Sequence, residues 1–585
     1  MRAFARKHPI IWAYCFIAFF SLSYHLPIFI TGMSGSTGLR QTLLMSFLWL
    51  LPVVLLPRYT RQVLAVAGLV MWPAALTSIF YFLIYGQEFS QSAIFIAFES
   101  NAAESSEFIQ SYWQWWFVPL LMVFTAIPLW MWSQLRPVDL SRRQQAGYGA
   151  IFALIAFWPF IGTLAAPSTR PEAPIAQATY HQIIRMEPAA PWNLVFGYVK
   201  YREQMADMAE LLEQNRKVKP LQNLVAVETL PDTVVLVLGE STNRQRMSLY
   251  GYPRETTPRL DALHDQGELL VFNDVVTPRP YTIEALQQIL SFADSKSPER
   301  FFNEPTLLNM MKQAGYEITW ITNQQTQTRR NTMLTTFSQM ADHQVYLNNN
   351  RQQNANQYDG AVLEPVEAAL ASAAPKKLII VHMLGTHRGY SYRYPESFAH
   401  FKDTVGAPDW ITPELLAEYN SYDNAVRYND DVVASLIDVT RARDDNSLLV
   451  FFSDHGEEVY DNPEKLSTGR NEGAPTSAMY TVPFVVWASP EFKQHRDLST
   501  WAAAVDRPYS NAHFIHTFAE MVGLSFTALQ PQDSLISAKF VPSTRWIGDP
   551  YNPKTLRDYS LAVGEKVEKR PLKVAEANQS EQAGI

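Results

Sequence analysis

Hydrophobic positions are spread unevenly along this chain of 585 residues. Before Pro167 they gather into five long runs, at 10–30, 39–56, 63–85, 115–132 and 148–165. Each approaches the roughly 20 residues that carry a helix across a hydrocarbon core of about 30 Å. The second, fourth and fifth are short enough to need flanking residues such as Arg40, whose head group can snorkel to the interface. Five such runs in succession predict an α-helical transmembrane domain of five helices over 1–166 rather than buried core helices. The stretch 167–230 is polar, punctuated by Pro and prone to helix. It reads as bridging and interfacial helices, with 181–201 expected at the membrane interface, or equally as a plain linker.

From Thr233 the pattern changes. Short apolar runs rich in β-branched residues, at 233–238, 269–276, 317–322, 378–383, 448–452 and 484–487, alternate with helical stretches. Near-continuous apolar strands separated by helices predict an α/β domain over 231–562, a mostly parallel sheet covered by helices on both faces. The tail, 563–585, is rich in Lys, Glu, Gln and Ala and is expected to be disordered.

Charge adds orientation. Arg2, Arg6 and Lys7 precede the first run, Arg58 and Arg61 lie between the second and third, and Arg136, Arg142 and Arg143 between the fourth and fifth. The positive-inside rule makes these segments cytoplasmic, so the N-terminus is inside and everything after the fifth run is exported. The loop carrying Glu88, Glu99, Glu104 and Glu107 falls on the exported side, as it should. No small-residue cleavage site follows the first run, which therefore reads as an anchor. A net charge of −8 argues against a nucleic-acid partner. The mean hydropathy of −0.11 is an average over two unlike halves. A single cysteine, Cys15, excludes a disulfide framework and any cysteine-rich zinc module.

The chemistry gathers where an open α/β sheet keeps its sites, beyond the carboxyl ends of the strands. The first strand runs into Gly239-Glu240-Ser241, the fourth into Gly385-Thr386-His387 and the fifth into Ser453-Asp454-His455-Gly456-Glu457. Glu240, Asp454 and His455 are oxygen and nitrogen ligands of the kind zinc takes. Asp-His-Gly alone is more often a turn, and its weight comes from Glu240 at a neighbouring strand end. After the second strand, Thr282 opens a predicted helix running to Leu290. It is either a helix cap or a nucleophile whose hydroxyl lies among backbone N–H groups able to hold phosphate.

These residues carry a family resemblance. G-E-S-T-N-R-Q-R-M-S-L-Y-G-Y-P-R-E-T-T-P from Gly239, W-I-T-N-Q-Q from Trp320, G-T-H-R-G-Y-S-Y-R-Y-P from Gly385 and S-D-H-G-E-E from Ser453 resemble the lipopolysaccharide phosphoethanolamine transferases of Gram-negative inner membranes. The exported half of that family has the alkaline phosphatase/sulfatase fold. Y-G-Q-E-F-S-Q-S from Tyr85, M-E-P-A-A-P-W from Met186, R-P-Y-T-I-E from Arg279 and R-W-I-G-D-P-Y from Arg545 are most similar to the branch that modifies heptose I of the core.

The resemblance implies a multi-pass inner-membrane enzyme with a periplasmic catalytic domain. It implies phosphatidylethanolamine as donor, the lipopolysaccharide core as acceptor and one zinc ion, with room for a second. Its zinc ligands fall on Glu240, Thr282, Asp454 and His455, with Thr282 the nucleophile. His387 falls near the entering or leaving oxygen, Glu457 on the same loop, and Asn101 and Glu104 near the donor's amine. Two departures stand out. The lipid A branch has a second histidine about a dozen residues after Asp-His, where this chain offers only Lys465 or Arg470 as positive charge, and that branch's disulfides are missing here. Transfer to lipid A and phosphoglycerol transfer on the same fold are the alternatives. A sulfatase is disfavoured because Thr282 cannot become formylglycine, a non-catalytic scaffold because every inferred ligand is present, and a transporter because the apolar runs carry no clear charge.

Overall fold

Stretches rich in Phe, Leu, Ile and Trp form the long apolar helices of the first part of the chain. The computed structural model describes residues 2–31, 36–85, 89, 115–165, 174–324, 332–348, 356–464, 466–551 and 555–563. It divides into one unit of Met1–Glu210 with 325–332 and 348–356, and a second of Leu211–Gln324, Met333–Leu347 and Gln357–Ile585. In the first unit, Pro9–Ile30, Gly38–Leu55, Pro57–Leu83 and Arg142–Ala165 are long and apolar enough to cross a membrane. The fourth expected span is shorter. Phe117–Ser133 has 17 residues, about 25 Å at 1.5 Å per residue.

The second stretch is α-helical at Ser36–Met45 and Leu50–Leu55 with a 3₁₀ turn at Ser46–Trp49 between them. Pro52, which has no N–H and crowds the carbonyl four residues back, accounts for the tighter turn. Gly68 lets two helices approach closely, since a Cβ there would stand 3.0 Å from the Phe16 ring. Val66 and Leu69 point outward at 63% and 76% exposure, a surface that lipid would cover. The 186–192 segment does not lie on the outside of this unit. Met186, Ala189 and Ala190 are buried, the Ala190 N–H donates to Ser21 Oγ at 2.9 Å, and Asn193 Nδ2 donates to Ser78 Oγ at 2.7 Å.

The second unit is built on a sheet of seven strands, in the order Leu269–Val271, Phe484–Ala488, Ser447–Ser453, Thr233–Gly239, Lys377–His382, Glu317–Thr322, His343–Tyr346. All run parallel except Phe484–Ala488, which is antiparallel to both neighbours. The central strand Thr233–Gly239 is buried along its whole length. Its period of two divides it between two cores. Val234, Leu236 and Leu238 pack with Leu378, Ile380, Val450 and Trp320 on one face, and Val235 and Val237 with Ile379, Val381 and Phe451 on the other. Each such side chain contributes about 1.5–3 kcal/mol. Two details differ from the sequence pattern. His343–Tyr346 adds an edge strand, and the 269–276 run splits, with Val275–Val276 leaving the sheet to pair with Tyr509–Ser510.

The loop after the central strand is pinned by buried charge. Arg246 is 1% exposed. Its Nε donates to Asp423 Oδ1 at 2.9 Å, its other nitrogens to Asp461 Oδ1 and to the carbonyls of Val459 and Tyr419, and it lies 3.7 Å from the Tyr419 ring centroid. Arg254 takes the second oxygen of Asp423 at 2.8 Å. Asp423 sits on the long helix Pro413–Arg441, so one carboxylate joins that helix to two points of a single loop. Breaking a buried pair costs about 3–5 kcal/mol because the remaining charge is stranded. Arg246→Ala is therefore expected to lower the unfolding midpoint of the purified protein substantially, and Arg246→Lys to recover only part, since an ammonium cannot reproduce the planar fork. An unchanged midpoint in Arg246→Ala would remove this network from the account.

Candidate active site

Strand register brings the two principal carboxylates together. Gly239 is paired with Ser453 on the adjacent parallel strand, so the chain leaves both strands at the same level and Glu240 and Asp454 emerge side by side. The third strand ends beside them, where the Met383 N–H donates to the Leu238 carbonyl and the Thr386 N–H to the Glu240 carbonyl at 3.0 Å. Gly385 is required there. It has φ +54°, and a Cβ would stand 2.5 Å from the Glu240 carbonyl oxygen. Ser241 adopts φ +59°, uncommon for a residue with a side chain. Its conformation is held by Tyr422, whose hydroxyl donates to the Ser241 carbonyl at 2.7 Å.

Glu240, Asp454 and His455 are fully buried, and one ligand atom from each lies within 4.8 Å of the others. His455 Nδ1 lies 2.8 Å from the Gly456 carbonyl, a contact that requires the proton on Nδ1 and turns the Nε2 lone pair toward the carboxylates. Nε2 is 3.2 Å from Glu240 Oε1 and 3.4 Å from Asp454 Oδ2. Asp454 Oδ1 accepts the His455 N–H at 2.7 Å, whereas Oδ2 is buried with no hydrogen-bond partner. Thr282, at the first turn of the helix Thr282–Ile289, completes the cluster. Its hydroxyl donates to Glu240 Oε2 at 2.8 Å and lies 3.3 Å from His455 Nε2.

Such a pocket is short of positive charge. Burial and the charge of Glu240 push Asp454 up to about 7. Burial also works against ionised Glu240, but His455 and Arg470 outweigh it and hold Glu240 below the usual carboxylate range. Burial disfavours the imidazolium of His455, yet its two carboxylate neighbours raise it. Arg470 supplies the missing cation. Its guanidinium donates to His455 Nε2 at 2.6 Å and lies 3.5 Å from Glu240 Oε1 and 3.3 Å from Glu457 Oε2. Glu457 is itself buried and accepts from Tyr390 at 3.1 Å. Burial pushes His387 down to about 4, so its imidazole is neutral near pH 7.

Of the residues singled out in the sequence, Glu240, Thr282, Asp454, His455, Glu457 and Arg470 meet here, and His387 lies within electrostatic reach of Glu240 and His455. Asn101, Glu104 and Lys465 lie outside the described residues. Residue-type reasoning missed two supports. Gln324 donates to Glu240 Oε2 at 3.1 Å and to the Met383 carbonyl at 2.7 Å. Asp359 accepts the N–H groups of Leu384 and Gly385 at 2.8 and 2.7 Å and so shapes the His387 loop. Gln324 falls in the W-I-T-N-Q-Q motif, which was the available signal; Asp359 had none.

Two of the branch motifs also converge. Arg279, three residues before Thr282, makes a two-pronged pair with Glu472 at 2.7 and 3.3 Å and reaches Asp549 at 3.3 Å. The approach to Thr282, the loop carrying Arg470 and the Arg545–Tyr551 segment are thereby tied together.

The sulfatase family matches residues 232–524. The phosphoethanolamine transferase EptC of Escherichia coli O18:K1:H7 is 47% identical over 564 residues, covering 95% of this chain and 96% of that protein. The phosphoethanolamine transferase CptA of Salmonella typhimurium is 48% identical over 565 residues, again covering 95% and 96%. The crystal structure of the C-terminal periplasmic domain of Escherichia coli EptC in complex with Zn is 52% identical, covers 60% of this chain and 100% of its own, and superposes with a TM-score of 0.57. A sulfatase-like α/β unit preceded by apolar helices, matched to these proteins over nearly its full length, belongs to the EptC/CptA branch of the phosphoethanolamine transferases.

Proposed function

We propose that the protein transfers phosphoethanolamine from phosphatidylethanolamine to heptose I of the lipopolysaccharide core, through a covalent phosphoethanolamine ester on Thr282. The observation that carries this reading is the position of the Thr282 hydroxyl, 2.8 Å from Glu240 Oε2 and 3.3 Å from His455 Nε2. In the first half-reaction a bond forms between Thr282 Oγ1 and phosphorus, the bond to the diacylglycerol oxygen breaks, and the Thr282 proton passes through the Glu240 carboxylate that already accepts it to the leaving diacylglycerol oxygen. In the second, an acceptor oxygen displaces Thr282 from phosphorus, neutral His387 takes up the acceptor's proton if that oxygen is a hydroxyl, and Thr282 Oγ1 regains a proton to restore the starting enzyme. Arg470 faces the charge that develops on the phosphoryl oxygens. Asn101 and Glu104 are assigned to the donor's amine.

One zinc ion fits the donor set of Glu240, Asp454, His455 and Thr282, because Asp454 Oδ2 is a buried oxygen with no partner and His455 Nε2 faces the carboxylates, where the Arg470 guanidinium at 2.6 Å stands in the place a metal cation would take. Bound there, zinc supplies Lewis acidity that makes the Thr282 hydroxyl a better nucleophile and polarises the phosphoryl oxygen. The apolar helices would anchor the chain in the inner membrane, N-terminus inside and catalytic unit in the periplasm, where donor head groups are held at high effective concentration. In this reading 1–166 is the membrane domain, 167–230 the bridge, 231–562 the catalytic domain and 563–585 a tail.

Incubated with phosphatidylethanolamine, the wild-type protein is expected to gain one phosphoethanolamine by intact mass and Thr282→Ala none. An adduct on Thr282→Ala would overturn the nucleophile assignment, and a phosphoglycerol adduct from phosphatidylglycerol would favour the alternative donor. Mass spectrometry of lipopolysaccharide from cells with and without the protein should locate the added group on the core; a change confined to lipid A would move the acceptor there. Gln324 orients a proposed ligand from outside the cluster, a role whose loss typically weakens metal binding about 10–100-fold. Gln324→Ala is expected to lower zinc affinity by that factor in a chelator titration, and an unchanged affinity would deny Gln324 this role.

A further inference from the structure

The mouth of the catalytic cluster carries positive charge and aromatic surface that neither the nucleophile nor the metal set employs. Arg388 follows His387 directly and is exposed, and no carboxylate among the described residues pairs with it. Its guanidinium lies against Gly469, with Nη1 3.7 Å from the point where a Cβ would stand. The next residue, Arg470, reaches inward to His455. Two guanidinium groups thus stand in succession, one inside the cluster and one at its lip.

Beside them the chain turns sharply at Tyr460, which has φ +60°. Its hydroxyl donates to Glu418 at 2.7 Å, its carbonyl accepts the indole N–H of Trp410 at 2.9 Å, and its phenol lies within electrostatic reach of Arg388. Trp410 remains 38% exposed although its one polar atom is satisfied. A non-glycine residue in the left-handed region is strained and persists where the surroundings over-determine it.

We propose that Arg388, Tyr460 and Trp410 form the acceptor subsite and that its ligand is an anionic, phosphate-bearing saccharide. Phosphate oxygens match the donor fork of an unpaired arginine, and the carbon face of a sugar ring buries apolar surface on an exposed indole. Trp410 bonds to Tyr460, Tyr460 lies within electrostatic reach of Arg388, Arg388 lies against Gly469 beside Arg470, and Arg470 and Thr282 share His455, so the series connects exposed surface to the nucleophile. This deepens the transferase reading above and rests on it. It assigns the lip to the second half-reaction alone.

The test uses the full-length protein in detergent and measures the half-reactions separately. The first is phosphoethanolamine labelling of the enzyme from phosphatidylethanolamine without acceptor, and the second is transfer to lipopolysaccharide core oligosaccharide with its phosphates intact or enzymatically removed. Arg388→Ala is expected to raise KM for the phosphorylated core about 10-fold or more, with kcat and the labelling rate within about 3-fold of wild type, since losing one charged contact costs about 1.5–3 kcal/mol. Arg388→Lys should fall between the two. Trp410→Ala should raise KM for both forms of the acceptor. Against dephosphorylated core, wild type and Arg388→Ala should converge. Unchanged acceptor KM in Arg388→Ala and Trp410→Ala would overturn the subsite, and so would slowed labelling, which would give the lip to the donor. Failure of the wild type to label at all falls on the Thr282 assignment instead, and the acceptor KM values still decide the subsite.

Discussion

Two carboxylates held side by side in a fully buried pocket are the constraint on which the rest of the second unit depends. Like charges about 4 Å apart repel by about 4 kcal/mol even at an effective dielectric near 20. The pairing of Gly239 with Ser453 leaves Glu240 and Asp454 no means of separating. The pocket therefore requires a cation, a shared proton or both. Arg470 and the proton whose affinity rises on Asp454 both answer that need. Placing the Thr282 hydroxyl in the same pocket puts a weak nucleophile where negative charge is already in surplus and a cation is demanded. A phosphoryl-transfer site needs that combination.

Holding such a pocket takes stiffness, and this chain builds it without covalent braces. Its one cysteine, Cys15, lies in the first unit. Buried ion pairs take over the task. Arg246 and Arg254 share Asp423 and fix the loop after the central strand, and Arg279 with Glu472 and Asp549 fixes the approach to Thr282. Close backbone contact at Gly385 and Gly456 supplements them, since a Cβ at Gly456 would fall 2.1 Å from the Ala478 carbonyl. Ion pairs of this kind gain little net stability over an apolar replacement. They are directional, however, and a site that must keep four side chains within hydrogen-bond reach gains from direction.

Much of this was legible in the chain. The apolar runs, the central strands and the strand ends carrying Glu240, His387 and Asp454 follow from periodicity and from the rule that open sheets keep their sites at carboxyl ends. Thr282 at a helix start was legible as a position, with cap and nucleophile both left open by the residues alone and the nucleophile implied by the family resemblance. Other features were not legible, for physical reasons. Register is a long-range property, so nothing local said that Gly239 would face Ser453. The edge strand His343–Tyr346 is partly exposed and lacks a hydrophobic run. The split of the 269–276 run comes from Asn273 and Asp274, whose backbone groups bond to Val505 and Tyr509 rather than to the sheet. The burial of 186–192 depends on Ser21 and Ser78, more than a hundred residues away. Gln324 and Asp359 each act through hydrogen bonds to segments distant in sequence, which no spacing rule reports.

The proposed chemistry of the pocket turns on one metal ion with Thr282 in its shell. Anomalous diffraction from crystals of the zinc-loaded protein, collected on either side of the zinc absorption edge, tests that claim most directly. The account predicts a single strong peak between Glu240, Asp454 and His455, within bonding distance of Thr282 Oγ1. A peak elsewhere in the catalytic unit, or none at that cluster in protein shown by solution assay to carry zinc, would contradict it.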